Sequence, residues 1–292
     1  MIVAVTGGSG FTGQFVVERL VAAGHRVRCL ARPTTDRSLL PPGAAAVEGD
    51  LGDPASLQRL LRGADALVSV ASLGLGHAPN LVEACEAESV QRAVFFSTTS
   101  IFTKLETPSR AVRVGAERRI RDSRLAWTIL RPTMIYGTER DRNMSRVIRF
   151  LNLTPLVPLP GGGSALIQPV YVQDLAEAVL RVLAESSTAG HAYDLPGSGA
   201  APLKDVVRFV SSRLGRRAAV VALPIGPMAA AAAVWSRTGA LPRISREQIL
   251  RLAEDKAFPS EEARRDFSYA PRSWREGLAL EIDRLRQVGW VR

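Results

Sequence analysis

The first 35 residues, MIVAVTGGSGFTGQFVVERLVAAGHRVRCLARPTT, decide how the chain folds. IVAVT (2–6) is a short apolar run that leads directly into Thr6-Gly7-Gly8-Ser9-Gly10-Phe11-Thr12-Gly13. GQFVVERLVAAG (13–24) then carries apolar residues at helical spacing and stops at Gly24. RVRCLA (26–31) is a second strand-like run. A strand, a glycine-rich bend and a helix in this order let main-chain amides approach a diphosphate. Glycines tolerate positive φ and close backbone contact, and the helix N-terminus adds roughly a kcal/mol of favourable electrostatics. Gly7, Gly10, Phe11, Thr12 and Gly13 are therefore candidate dinucleotide-binding residues, with Gly13 expected to let the helix pack close to the strand. At the end of the second strand an acid would bond the ribose 2′-OH of NAD, whereas an arginine suits the 2′-phosphate of NADP. Arg32 stands there with no acid beside it, and Arg37 lies in the next loop. The expected cofactor is NADP(H), with NAD(H) as the alternative if Arg32 only stacks on adenine.

The rhythm continues outward from this stretch. Strand-like AAVEGD (45–50), ALVSVA (66–71), RAVFFST (92–98), AWTILRP (126–132) and HAYDLPG (191–197) alternate with helical DPASLQRLLRG (53–63), NLVEACEAES (80–89), SRAVRVGAERRIRDS (109–123) and DLAEAVLRVLAES (174–186). Such alternation predicts an α/β fold, a doubly wound parallel (Rossmann) sheet covered on both faces. Residues 138–170 and 198–292 break the rhythm; they are richer in Pro and Gly and contain helices without clear strands. The expected organisation is a dinucleotide-binding domain over 1–137, completed by 171–197, with 138–170 and 198–292 forming a smaller C-terminal substrate lobe. There is no internal repeat.

Bulk properties narrow the function. The chain has 292 residues and a net charge of +10, carried almost wholly by arginine, with Lys only at 104, 204 and 256. The arginines read as scattered solvated residues, and no basic stripe with interleaved aromatics is present, so no nucleic-acid partner is expected. Cys29 and Cys85 make neither a metal spacing nor a useful staple, which fits a reducing cytoplasm and no metal. The N-terminus lacks the basic region and cleavage site of a signal peptide. The apolar stretch AAVVALPIGPMAAAAAVW (218–235) is interrupted by Pro224, Gly226 and Pro227, so no integral membrane segment is expected; burial in the lobe is the main expectation, membrane-surface contact the lesser one.

TGGSGFTG with these flanks resembles the extended and atypical branches of the short-chain dehydrogenase/reductase superfamily, including its NAD-dependent epimerase/dehydratase-like members. The resemblance covers most of the chain. GDLGD (49–53) is similar to the acidic element after the third strand, which implies that Asp50 faces adenine and Leu51 packs near it. VSVAS (68–72), with Ala71, resembles the fourth-strand end that lines the cofactor; Ser97 and Pro132 resemble positions bordering it after the fifth and sixth strands. LRPTMIYG (130–137), QPVYVQDLAEAV (168–179) and the C-terminal REQILRLAEDKAF with APRSWREGL resemble the segments that build the substrate side.

The family's chemistry rests on a Tyr-x-x-x-Lys pair and a Ser/Thr at the end of the fifth strand. The tyrosine exchanges a proton with the substrate oxygen, and the lysine lowers its pKa. FFSTTS supplies Thr98 and Thr99, with Thr99 the better match, but the next helix has no tyrosine. Anchoring on Gly115-Ala116-Glu117 places Ser109 at the tyrosine position and Arg113 at the lysine position. Serine is a poor proton donor near neutrality and guanidinium does not deprotonate, although Arg113 can still hold a ribose or phosphate. Tyr136, Lys104 and His77 are the substitute donors to consider. Arg140, Arg142, Arg146 and Arg149 would suit a phosphorylated small-molecule substrate, or are simply exposed helix residues. Two functions remain: an NADP(H)-dependent reductase, dehydrogenase or epimerase acting by hydride transfer at a carbonyl or alcohol carbon, or a catalytically inactive NADP(H) sensor or scaffold. By analogy with the superfamily, a homodimer is possible.

Overall fold

The computed structural model describes residues 1–235 and 246–291. Its strands are β1 (Ile2–Thr6), β2 (Arg26–Ala31), β3 (Ala44–Glu48), β4 (Ala66–Ser69), β5 (Arg92–Phe96), β6 (Ala126–Pro132), β7 (Ile135–Tyr136), β8 (Leu156–Pro160), β9 (Leu166–Ile167), β10 (Val170–Tyr171), β11 (His191–Leu195), β12 (Ala201–Pro202) and β13 (Ala219–Leu223). Its helices are α1 (Phe11–Ala22), α2 (Pro54–Leu61), α3 (Ala78–Ala87), α4 (Pro108–Arg121), α5 (Met144–Leu153), α6 (Val172–Ala184), α7 (Leu203–Arg213), α8 (Ile225–Trp235), α9 (Arg246–Leu252), α10 (Glu261–Phe267) and α11 (Trp274–Gln287).

Seven parallel strands form one sheet in the order β11-β6-β5-β4-β1-β2-β3. The chain winds outward in both directions from β1, so the crevice beyond the carboxyl ends of β1 and β4 is the topological switch point of a doubly wound fold. Val3, Ala4 and Val5 of β1 and Ala66, Leu67 and Val68 of β4 are all buried, the continuous apolar run that a strand covered on both faces requires. On one face Val16, Val17 and Leu20 of α1 pack with Leu175, Val179 and Val182 of α6. On the other, Leu57, Leu60 and Leu61 of α2, Leu81 and Val82 of α3 and Ile120 of α4 form a second layer. Local signals set the helix starts. Asp53 accepts from the amides of Ala55 and Ser56 ahead of α2, with Pro54 in its first turn, and Thr107 accepts from Arg110 N ahead of α4.

A third core gathers Tyr136, Ile148, Val157, Val206, Trp274, Leu278 and their neighbours from α5, α7, β8 and α11. Segments 138–170 and 198–292 do contain strands. β8 pairs with β13 in parallel and β9 with β12 antiparallel. Their Pro-rich or two-residue lengths hide the period-two pattern from the sequence. α10, in the C-terminal segment, packs on the sheet through Ala263 and Phe267 instead of on the third core. Residues 218–235 also depart from the expected burial: β13 and the start of α8 are mostly exposed. Among the described residues no helix is long and apolar enough to cross a membrane.

Two buried carboxylates have opposite environments. Glu117 of α4 accepts Arg131 Nε (2.9 Å) and Nη2 (2.7 Å) from β6, Arg121 Nη2 (2.8 Å) and Ser97 Oγ (2.6 Å). Burial alone would raise its pKa, but the Arg131 and Ser97 hydrogen bonds and the two guanidinium charges outweigh that and hold it below the ordinary value of 4.5. Arg131 also reaches Asp194 Oδ1 on β11 (3.5 Å), so the network ties α4 to two strands. Glu281 of α11 is fully buried beside Asp141, and among the described residues neither of its carboxyl oxygens accepts a hydrogen bond. Burial, and then nearby Asp141 and Glu139, push its pKa up to about 11.

The signs follow from linkage. Glu117 titrates lower folded than unfolded, so its contribution is complete above about pH 4.5 and is lost as pH falls through its folded pKa. Glu281 titrates at about 11 folded and 4.5 unfolded, so stability declines as pH rises across that interval. Glu117→Gln is expected to cost ~3 kcal/mol by leaving Arg131 uncompensated. Glu281→Gln is expected to stabilise by ~1 kcal/mol or more at pH 8 and by little at pH 4. Thermal melts of both variants across this pH range check the opposite signs.

Candidate cofactor and active site

The glycine bend sits at the carboxyl end of β1, above the switch point. Gly7 has φ +75°, and a Cβ there would lie 2.7 Å from Ala71 N, so the bend is pressed against the end of β4. A Cβ on Gly13 would lie 2.0 Å from Gly7 O; its requirement is space inside the bend itself more than closeness of helix and strand. Gly10, with φ −72°, caps α1 without a side-chain hydrogen bond, and the first turn holds no acid. The amides of Phe11, Thr12 and Gly13 have no acceptor among the described residues, so α1 presents open donors and its positive dipole end to the crevice. This cradle fits a diphosphate. Arg140 braces it from outside: Nη2 donates to Ser9 O (3.2 Å), and Nη1 bonds Gln14 Oε1.

Further along the crevice, Arg32 is exposed directly after β2 and has no ion-pair partner among the described residues. Arg37 is instead paired with Glu48 (2.8 Å). Asp50 Oδ1 accepts Gly52 N (2.8 Å), which fixes the turn after β3, and half-buried Leu51 packs against the α2–α3 layer. His77 Cε1 comes within 3.8 Å of a Cβ built on Gly52, so this imidazole lies beside the Asp50–Gly52 turn.

At the other end, beyond β5 and β6, Thr99 is buried and its Oγ1 donates to Pro132 O over 3.4 Å, a weak bond that a better acceptor can replace. The Thr98 hydroxyl is used differently, accepting Ser100 N (3.2 Å). Ser109 Oγ lies 3.2 Å from Thr107 Oγ1. Arg113 lays its guanidinium over Gly74, where a Cβ would meet Nη2 at 3.2 Å. Burial, and then the charge of Arg251, lower its pKa. Thr99 and Pro132 thus meet beyond β5 and β6, Arg113 of α4 lies against the loop after β4, and the Ser97 hydroxyl is committed to Glu117.

Tyr136 does not join them. Its ring is fully buried in the third core, its hydroxyl points to Trp274 O (3.4 Å), and a Cβ on Gly277 would lie 2.0 Å from that hydroxyl. Burial, then the Glu281 and Asp174 charges, raise its pKa far above the ordinary phenol value. It is a core residue, not an acid at the crevice. Lys104 is exposed and takes part through its backbone, its amide donating to Glu254 Oε1 (3.1 Å).

Glu254 escaped the sequence reasoning. It also accepts Thr103 Oγ1 (2.7 Å), holding the loop after β5 against the segment after α9. Arg251 and Lys256 join it. Arg251 Nε lies 3.1 Å from Glu247 Oε1, yet among the described residues its buried Nε and Nη2 make no hydrogen bond of good geometry. Lys256 has a lowered pKa, chiefly from burial. Only the fold assembles these three with Arg113. The hints in the sequence were the density of charge in REQILRLAEDK and the resemblance of that segment to one on the substrate side.

Comparisons with known proteins agree with this geometry. The family model described as NAD(P)H-binding matches residues 7–185, which takes in the bend directly after β1 and every element from α1 through α6. A 2-alkyl-3-oxoalkanoate reductase from Stenotrophomonas maltophilia is 28% identical over 323 residues, covering 95% of this chain and 97% of its own. Among solved structures, a nucleoside-diphosphate-sugar epimerase from Pseudomonas aeruginosa superposes with TM-score 0.81 at 18% identity, covering 100% of this chain and 99% of its own. A UDP-glucuronic acid 4-epimerase from Bacillus cereus in complex with NAD superposes with TM-score 0.76 at 18% identity, each chain covered to 99%. The chain belongs to the NAD(P)H-binding family and shares its fold with the solved nucleotide-sugar epimerases.

Proposed function

We propose that this protein is an NADP(H)-dependent reductase or dehydrogenase that acts on a carbonyl or alcohol carbon of an acidic small molecule. What supports this is that the Gly7–Gly13 bend, Arg32, which has no ion-pair partner among the described residues, and the weakly engaged Thr99 hydroxyl all follow carboxyl ends of strands in one parallel sheet. When bound, the nicotinamide supplies or accepts the hydride. The open amides of Phe11, Thr12 and Gly13 would hold the diphosphate, and Arg32 the 2′-phosphate.

Thr99 would leave Pro132 O and donate to the substrate oxygen, polarising the carbon toward hydride and orienting it. Arg113 would hold ribose or a substrate anion, and the half-buried cations Arg251 and Lys256 would attract a carboxylate. Such a preference matches the oxo-acid named for the 28%-identical relative. Water or Lys256 would complete the proton transfer that the family's tyrosine normally performs. A second reading, a nucleotide sensor without turnover, is favoured by Ser109 bonded to Thr107 in place of that tyrosine.

Purified protein is expected to oxidise NADPH with a panel of oxo acids that includes a 2-alkyl-3-oxoalkanoate. Thr99→Val should lower kcat about tenfold to a hundredfold with nucleotide affinity unchanged. Tight NADPH binding with no turnover on any substrate supports the sensor instead. Calorimetry should show NADPH bound more tightly than NADH, with Arg32→Gln erasing the difference by weakening NADPH about tenfold. Gly13→Val should abolish binding of both nucleotides, because its side chain overlaps Gly7 O.

A further inference from the structure

The net charge of +10 is not spread evenly over the chain. Residues 142–173 and 206–246 contain ten of the 38 basic residues, all arginine, and no Asp or Glu. The other 28 basic residues equal the 28 acids, so these two segments hold the whole excess. The fold sets described parts of both side by side, with β8 pairing β13 and α5 packing on α7.

The same surface is apolar at its centre. Phe150 (44% exposed) and Leu153 (79%) end α5, and Leu156 (58%) opens β8. In the β8–β13 ribbon Leu156 pairs with Ala219 and Pro158 with Val221, and all four face outward. Residues 218–235 carry no charge. Of the described side chains of α8, Ala229 and Ala232 are buried, clustered with Ile249 of α9, while Ile225 stays exposed. A helix or strand apolar on every side belongs in a core or against lipid, and an exposed apolar patch of this kind marks an interaction surface.

Around it stand Arg142, Arg146, Arg149, Arg216 and Arg217, all exposed and none ion-paired among the described residues. Arg149 lies over the Trp290 ring at 4.4 Å, an aromatic–cation pair at the rim. Two copies of this face joined by a two-fold axis would bring arginine rims together with no carboxylate from either acid-free segment to relieve them. A nucleic acid would find charge but no row of stacking aromatics, and would desolvate the apolar centre for nothing. An anionic bilayer satisfies both features, with apolar side chains in the headgroup boundary and guanidinium groups on lipid phosphates.

We propose that this face, formed by the end of α5, the β8–β13 ribbon and the start of α8, seats the protein peripherally on an anionic lipid surface. The proposal does not depend on the nucleotide reading. Flotation with vesicles of phosphatidylcholine alone, and with about a third of it replaced by phosphatidylglycerol, tests it. The protein is expected to float with the anionic vesicles, to remain in solution with neutral ones, and to be released by high salt. Arg216→Gln with Arg217→Gln should lower the partition coefficient about fivefold per residue. Leu153→Ser with Val221→Ser should lower it about tenfold, at unchanged melting temperature and unchanged nucleotide affinity, both residues being exposed. Absence of flotation with anionic vesicles overturns the proposal. So does flotation that both double variants leave intact, or a dimer, or an oligonucleotide complex, that forms through this face while vesicles are ignored.

Discussion

The close approach of main chain to main chain at the opening bend constrains everything above it. Gly13 stands where any side chain would run into Gly7 O, and Gly7 is pressed against Ala71 at the end of the neighbouring strand. That contact brings the start of α1 over the switch point with its first amides open. A longer or bulkier bend would tilt α1 away from β4 and close the gap between strands into which a diphosphate fits. The rest of the Rossmann half is conventional by comparison: buried strands, capped helices and two apolar layers that keep this bend in place.

The opposite end of the crevice is held by electrostatics. Glu117 collects two arginines and the Ser97 hydroxyl in a site with almost no solvent, and through Arg131 it fixes α4 relative to β6. Ser109 and Arg113 ride on that helix, so their distance from Thr99 is set by this buried network. The polar groups here compensate one another, in contrast to Glu281, whose buried carboxyl has no cation beside it among the described residues and is pushed up in pKa by burial and by Asp141. Glu254 plays the corresponding part for the lobe, carrying the loop after β5 by two hydrogen bonds.

Charge is organised in three dimensions in a way that composition conceals. Most of the chain is neutral in sum, with ion pairs such as Arg284–Glu139 and Arg272–Asp174 spanning between elements. Part of the excess, Arg142, Arg146, Arg149, Arg216 and Arg217, surrounds the place in the lobe where the apolar ribbon surfaces. Seen one residue at a time, those arginines look scattered; only pairing β8 with β13 shows that the segments are neighbours.

The doubly wound sheet, its strand and helix order, and the cofactor cradle were all legible in the sequence, because they rest on local signals: apolar runs of strand length, helical periodicity and glycines at a bend. The positions of Arg32, directly after β2, and of Thr99, three residues past β5, were legible for the same reason. Tertiary structure decided what depends on contacts between distant residues. Tyr136 is spelled like a functional residue but is enclosed by Trp274 and Gly277, which lie more than a hundred positions away. Glu254 meets the loop after β5 and Arg251 comes near Arg113 only because α9 and the segment after it return to them. Short strands such as β9 and β12 are too brief to show a period and exist only through their pairing. Periodicity records which face of an element is buried, but it carries no information about what lies across from that face.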